Sequence, residues 1–146
     1  MGLVLEYCDK GMSSAVLRKE GATFHWDDPL VKWVLDVSRG MTYLHGISYQ
    51  DVESGSKVNG ILHRDLKPDN CLVTETYGIK ISDFGESRAV SDKDQMTQVG
   101  TPIYIAPEIV KGDRYTSSAD VFSFALTMLD FSLRGQMHIL EVSVWR

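Results

Sequence analysis

The chain has 146 residues, of which 43% are hydrophobic and 24% are charged, and its formal net charge is −5. Length and composition are typical of one globular domain with a buried core, and they exclude a disordered or collagen-like chain. The acidic balance argues against a nucleic-acid partner, which requires a basic face.

The sequence shows no sign of a membrane segment or of a secretory leader. No apolar run approaches the roughly 18 residues that a membrane helix needs. The first residues also lack the charged-then-apolar order of a signal peptide. The two cysteines, Cys8 and Cys71, do not suggest a disulfide framework. Together these features predict a cytoplasmic location and no membrane segment in this chain.

The first predicted elements are a strand and a short helix. The apolar run at residues 3–5 favours a buried strand. Ser13 or Ser14 is a candidate N-cap for a short helix that extends to Leu17.

The clearest predicted helix begins after Asp28, a good N-cap, with Pro29 in the first helical position. Gly46 is placed to end it. Apolar residues at spacings of three and four form one stripe along this helix, namely Leu30, Trp33, Val34, Val37, Met41 and Leu44.

The second half of the chain alternates short apolar runs with polar segments. Residues 47–60 are polar and rich in Gly and Ser, which predicts a solvent-exposed loop. Residues 86–99 are polar again and predict a mobile segment. Residues 121–131 predict a buried helix, whereas the pattern of residues 132–146 fits a helix and a strand equally. Three short strands are predicted, at residues 61–62, 72–73 and 79–81.

Four short motifs follow one another between residues 63 and 124. In order they are His63-Arg64-Asp65-Leu66-Lys67-Pro68-Asp69-Asn70, Asp83-Phe84-Gly85, Gly100-Thr101-Pro102-Ile103-Tyr104-Ile105-Ala106-Pro107-Glu108 and Asp120-Val121-Phe122-Ser123-Phe124. Taken alone, each is most often a turn or a group of solvated charges. Their common order and spacing make a chance combination negligible.

These residue types suit phosphoryl transfer, which requires positioned charges rather than covalent chemistry. Asp83 can supply a carboxylate and Asn70 a carbonyl oxygen to Mg²⁺, which prefers hard oxygen ligands. Asp65 can orient a substrate hydroxyl and accept its proton, and Lys67 can offset charge on the transferred phosphate. All four lie in polar turns at strand ends, where catalytic groups are commonly displayed.

On these motifs the sequence resembles the eukaryotic protein kinase family over roughly residues 1–131, and residues 132–146 are an unassigned tail. Lys67-Pro68, and Gly100-Thr101 followed by Tyr104, resemble Ser/Thr kinases rather than Tyr kinases. The string at residues 120–124 resembles the tyrosine-kinase-like group of Ser/Thr kinases.

The resemblance implies an α+β, mainly α-helical fold, that of the C-terminal lobe of a protein kinase. No stretch of the sequence matches the Gly-rich loop, the strand lysine or the helix glutamate of the N-terminal lobe. The later helices of the C-terminal lobe are not matched either. We therefore expect this chain to hold a kinase domain whose N-lobe is largely missing and whose C-lobe is truncated.

The resemblance also implies ATP and Mg²⁺ as cofactors and a protein substrate as partner. In this reading Asp65 is the catalytic base, Lys67 is the phosphate-stabilising lysine, and Asn70 and Asp83 are the magnesium ligands. Three further residues would contact the adenine, two through their backbone and one beneath the ring: Glu6, Cys8 and Leu72. A plain strand end is the alternative for residues 5–8.

Other motif residues take structural or regulatory roles in the resemblance. His63 and Phe84 belong to a stacked hydrophobic spine, and Gly85 completes the metal-binding triplet. Asp120 holds the backbone of the catalytic loop, and Thr101 contacts Asp65 and the substrate.

Three residues are tied to the activation segment by the same resemblance. Arg64 would hold a phosphorylated activation loop, with Thr97 as the candidate phosphosite. An ordinary loop threonine is the alternative at that position. Glu108 would pair with an arginine for which the sequence offers no clear match.

Two alternatives to a kinase activity stay open. The chain could be a catalytically inactive kinase-like binding module, or a truncated gene product with no role of its own. The intact set of Asp65, Asn70 and Asp83 argues against an inactive module, which has no physical need of these residues.

Overall fold

The computed structural model describes residues 4–52, 55, 57–90 and 100–137. These residues form four helices and seven short strands, connected in places by 3₁₀ turns. The helices are α1 (Ser13–Leu17), α2 (Leu30–Gly46), α3 (Pro107–Val110) and α4 (Ser117–Ser132). The strands are β1 (Gly11–Met12), β2 (Ser48–Gln50), β3 (Lys57–Asn59), β4 (Ile61–Leu62), β5 (Cys71–Val73), β6 (Ile79–Ile81) and β7 (Arg88–Ala89).

The helix α2 forms the centre of the main core. Its predicted stripe turns inward, and Trp33 is fully buried between the rings of Phe24 and Phe131 at centroid distances of 5.6 and 5.5 Å. Phe131 belongs to α4, so aromatic packing joins the two long helices. The helix begins one residue later than predicted, because Pro29 rather than Asp28 occupies the N-cap.

The prediction that Ser13 or Ser14 caps α1 is wrong. Met12 is the N-cap, and both serines lie inside the helix. Their hydroxyls instead bond to residues of the distant 3₁₀ turn Pro68–Asn70. The two hydroxyls therefore bind partners distant in sequence rather than the backbone amides of the first helical turn.

The strands pair into small antiparallel sheets. One has the order β1–β5–β6, with Met12 opposite Leu72 and Leu72 opposite Lys80. The others pair β2 with β3 and β4 with β7. Since Asn70 directly precedes β5 and Asp83 follows shortly after β6, the antiparallel β5–β6 pair places both residues at one end of the sheet.

Four expectations about local structure need correction. Val4 and Leu5 are 99% and 79% exposed and form no strand, because no described strand pairs with them. The segment 47–60 carries the hairpin β2–β3 rather than a plain loop. The segment 86–99 contributes β7, which pairs with β4; its residues 91–99 lie outside the described part.

The fourth correction concerns α4, which is not buried all round. Val121 and Leu129 are 58% and 44% exposed, whereas the polar residues Ser123, Thr127 and Asp130 are buried. Polar side chains can occupy that face because each of the three hydrogen-bonds within the fold. Among the described residues no helix is both long and apolar enough to cross a membrane.

Candidate functional site

The carboxylate of Asp65 is the centre of the site. Lys67 Nζ donates to its Oδ2 at 2.7 Å and Asn70 Nδ2 donates to the same atom at 3.0 Å. On the other oxygen, Thr101 donates through its backbone N at 2.9 Å and its Oγ1 at 3.1 Å. The structure thus brings together four predicted site residues that are spread over positions 65–101.

Thr101 also links the carboxylate to the lysine. Lys67 Nζ donates to Thr101 Oγ1 at 2.6 Å, so one ammonium group bridges two acceptors. The four hydrogen bonds from Lys67, Asn70 and Thr101 match the roughly four lone-pair positions of a carboxylate. Asp65 is therefore held in one orientation by charge-assisted bonds.

Asp120 fixes the backbone of the same loop from beneath. It is fully buried in α4, and its two oxygens accept from the backbone N of His63 at 2.9 Å and of Arg64 at 3.0 Å. His45 Nε2 lies 2.8 Å from the carboxylate, and the Tyr115 hydroxyl donates to it at 3.1 Å. Asp120 thus accepts hydrogen bonds from two consecutive backbone amides of the loop that leads to Asp65.

The backbone that Asp120 holds is strained. Arg64 has a φ of 73°, in the left-handed region that residues with a Cβ rarely adopt. Hydrogen bonds on consecutive amides offset that cost and turn the chain into Asp65. Burial, followed by the charge of Asp120, raises the pKa of Tyr115, which keeps its hydroxyl a donor.

His63 is a neutral, wholly buried imidazole. Its Nε2 lies 3.1 Å from the carbonyl oxygen of Ser82, which can only accept, so Nε2 carries the proton and Nδ1 is the acceptor. The backbone N of Asp65 donates to Nδ1 at 3.4 Å. Burial lowers the pKa of His63, which favours this uncharged state. The ring lies 5.3 Å from that of Phe84, which is half exposed.

Asn70 and Asp83 are joined through Ser82. The backbone carbonyl oxygen of Asn70 accepts from Ser82 N at 2.9 Å and from Ser82 Oγ at 3.1 Å. Asp83 is exposed, has a φ of 60°, and accepts a hydrogen bond from Gly85 N at 3.4 Å on its Oδ1. The glycine of the triplet thus orients the aspartate that precedes it.

This donor set fits magnesium that is shared with phosphate. Within the described residues, Asn70 Oδ1 and Asp83 Oδ2 accept no hydrogen bond, so both oxygens are open to a cation. The same part of the chain holds no group of three or more His, Cys, Asp or Glu that could bind a metal without further ligands. Magnesium commonly uses one or two protein oxygens plus phosphate and water, which suits this pair.

The predicted adenine residues lie beside the β1–β5 pair. The Cys8 carbonyl accepts from Gly11 N at 3.2 Å, and among the described residues the Cys8 N–H has no hydrogen-bond partner. Leu72 is half-buried in β5 opposite Met12. The Glu6 side chain points to Lys80, 3.2 Å away.

The remaining predicted residues are placed less fully. The Arg64 guanidinium lies 5.5 Å from the ring of Tyr115. Glu108 is half-buried in α3, and among the described residues no salt bridge to its carboxylate is present. Thr97 lies outside the described residues.

Sequence reasoning missed two groups that contact Asp120 and one further buried carboxylate in α4. His45 and Tyr115 complete the shell of Asp120, 75 and 5 residues away in sequence. Asp130, buried in α4, accepts from Met137 N at 2.8 Å and from the Tyr104 hydroxyl at 3.4 Å. The only available signal was an aspartate within an apolar helical run, which indicates a bonded carboxylate.

Comparisons with known proteins identify the family of this chain. The family model described as "Protein kinase domain" matches residues 1–139. The chain is 39% identical over 90% of its length to drkC of Dictyostelium discoideum, described as a probable serine/threonine-protein kinase. It is 36% identical over 88% of its length to the RGS domain-containing serine/threonine-protein kinase A of the same organism. It is 34% identical over 96% of its length to mitogen-activated protein kinase kinase kinase 13 of Pongo abelii.

This chain belongs to the protein kinase domain family, which confirms the resemblance drawn from the four motifs. It spans 17%, 10% and 13% of the length of these three relatives. Proteins of this family generally use ATP and Mg²⁺.

Proposed function

We propose that this chain carries the catalytic loop of a protein serine/threonine kinase that transfers the γ-phosphoryl group of ATP to protein hydroxyls. The observation that carries the proposal is the Asp65 carboxylate, held by Lys67, Asn70 and Thr101. We infer that the chain corresponds to the C-terminal lobe of a kinase domain. The boundary between the kinase core and the tail would lie near residue 131.

In the proposed reaction Asp65 accepts the proton of the substrate hydroxyl. The oxygen of that hydroxyl bonds to the γ-phosphorus of ATP, and the bond between the γ-phosphorus and the departing ADP breaks. Both Asp65 oxygens already carry hydrogen bonds, so one must open. Lys67 is the natural group to leave, because a γ-phosphate offers its ammonium another anion. Departure of Lys67 toward the phosphate would free one lone pair of Oδ2 for the substrate, while Asn70 stays bonded to that oxygen.

The nucleotide would be held at two ends. The open oxygens of Asn70 and Asp83 would hold Mg²⁺, which neutralises charge on the phosphates. The free N–H of Cys8 and the backbone of Glu6 would meet the adenine, with Leu72 beneath it. The free N–H favours this arrangement, since an adenine nitrogen can accept from it.

The regulatory role of Arg64 also stays a proposal. Burial and the nearby cation Arg88 lower the pKa of Arg64, so two positive groups lie close together. A phosphate on Thr97 would relieve that repulsion and order the loop. Thr97→Ala should abolish the rise in activity produced by phosphorylation, and equal activity of Thr97→Ala and the phosphorylated protein would refute this.

The test of the main proposal is phosphate transfer by the intact protein with Mg·ATP, followed by identification of the phosphorylated amino acid. Asp65→Asn should lower the rate at least about a hundredfold, because a general base contributes about that much or more. Asp113→Asn, at an exposed site, is the matched control. Phosphotyrosine as the product would overturn the Ser/Thr assignment. Mg·ADP binding without transfer would favour a binding module.

A further inference from the structure

Two neighbouring serines at the start of α1 fasten the 3₁₀ turn Pro68–Asn70. Ser13 Oγ donates to the carbonyl oxygen of Pro68 at 2.7 Å, and Ser14 Oγ donates to Asp69 Oδ1 at 2.6 Å. Both serines are buried. Water therefore competes little for the Ser13 bond. The Ser14 bond is partly buried and is charge-assisted.

These hydroxyls are unusual occupants of such positions. A buried position in a short helix is ordinarily filled by an apolar side chain, since burying a hydroxyl costs free energy unless it is hydrogen-bonded. Here two adjacent hydroxyls each reach a partner 55 residues away in sequence. The polar pair therefore fixes the turn in a way that apolar packing, which is not directional, would not.

The turn that they hold leads directly into the site. Asn70 ends it, and its amide donates to the Asp65 carbonyl at 2.8 Å and to Asp65 Oδ2 at 3.0 Å. The strand β5 follows at once and pairs with β1, the strand from which α1 continues. Sheet pairing and the serine hydroxyls thus hold the turn within one rigid unit.

We propose that Ser13 and Ser14 are positioning residues for the magnesium ligand Asn70. They hold Pro68 and Asp69 so that the Asn70 amide stays bonded to Asp65 and its Oδ1 stays open to the cation. The ligand role of Asn70 rests on the proposed function, whereas the hold on the turn rests on the hydrogen bonds themselves.

The experiment measures how ADP binding by the intact protein depends on Mg²⁺, using calorimetry. Ser14→Ala should weaken Mg·ADP binding about tenfold at limiting Mg²⁺, a factor typical of one charge-assisted hydrogen bond. Binding of ADP in EDTA should not change. Asp69→Asn keeps an acceptor oxygen for Ser14 and should bind like the wild type, whereas Asp69→Ala should match Ser14→Ala.

The double variant Ser14→Ala/Asp69→Ala should be no weaker than either single variant, because both remove the same bond. Ser132→Ala is the matched control, since its hydroxyl donates only to Met128 O within α4 at 3.0 Å. An unchanged magnesium dependence in Ser14→Ala, or fully additive losses in the double variant, overturns the inference.

A second readout separates this inference from the proposed function. The side-chain amide resonances of Asn70 should shift in Ser14→Ala and stay in place in Ser132→Ala. If the wild type binds no Mg·ADP, the proposed function fails, and these resonances alone then decide whether the serines position Asn70. Unshifted Asn70 resonances in Ser14→Ala overturn the positioning role.

Discussion

Removing the Asp120 carboxylate should destabilise the fold through the loop at residues 63–65. The carboxylate is fully buried and accepts from two consecutive backbone amides, those of His63 and Arg64. In Asp120→Ala those amides lose their partner. The other two partners, His45 and Tyr115, are side chains and can rotate to other partners.

The magnitude follows from the two stranded amides. Each buried N–H left without an acceptor costs about 1–3 kcal/mol, so two cost about 2–6 kcal/mol. We expect Asp120→Ala to lower the free energy of unfolding by about 2–6 kcal/mol, and Asp120→Asn by about half, because one acceptor oxygen remains.

The assay is urea denaturation of the full chain followed by circular dichroism, with linear extrapolation to water. Hydrogen exchange of the His63 and Arg64 amides gives a local readout that does not depend on a two-state transition. Asp113→Ala is the control, and its effect should stay within about 0.5 kcal/mol because Asp113 is exposed. A loss in Asp120→Ala that exceeds the control by less than about 1 kcal/mol would refute the reasoning.

Three further predictions concern buried or strained positions. Burial, reinforced by the charge of Asp69, raises the pKa of Cys71 from 9.0 to about 12, so its thiol should resist alkylation at pH 8 until the chain unfolds in urea. The contribution of the Cys71 thiol to the free energy of unfolding should be complete below pH 9 and fall as the pH rises further, because the thiol of the unfolded chain ionises first. A Cys71→Ala variant whose stability falls equally steeply above pH 9 would contradict this. Burial lowers the pKa of His63 from 6.5, so the unfolded chain takes up a proton before the folded chain does as the pH falls. The stability of the protein should therefore decrease below pH 6.5. Thermal melts in which His63→Gln shows the same acid sensitivity as the wild type would count against this prediction. Gly100 has a φ of +112°, and a Cβ there would lie 2.9 Å from the Arg64 carbonyl oxygen, so Gly100→Ala should lower the melting temperature by several degrees. Gly112→Ala has open space around the added Cβ, so its melting temperature should fall only through the strain of a φ of +84°.

The sequence by itself determined the family and the residues at the centre of the site. Asp65, Lys67 and Asn70 lie within six residues of one another, so the spacing of one motif brings them close without knowledge of the fold. The helix α2 was equally predictable, because a stripe of apolar residues at spacings of three and four needs no partner to be recognised. The strands β4, β5 and β6 were predictable as well, because each is a short apolar run bounded by polar turns.

Only the tertiary structure decided which distant residues complete the site. The bonds from Ser13 and Ser14 to the turn at 68–70, and that from His45 to Asp120, join residues 55 and 75 positions apart. No local periodicity encodes such pairs, because they form where separate elements meet. The same holds for β7, which became a strand only because β4 offered it a hydrogen-bonding edge, and for Val4 and Leu5, which no described strand pairs with. A strand forms when another strand satisfies its backbone groups, and that partner is a property of the fold rather than of the local sequence.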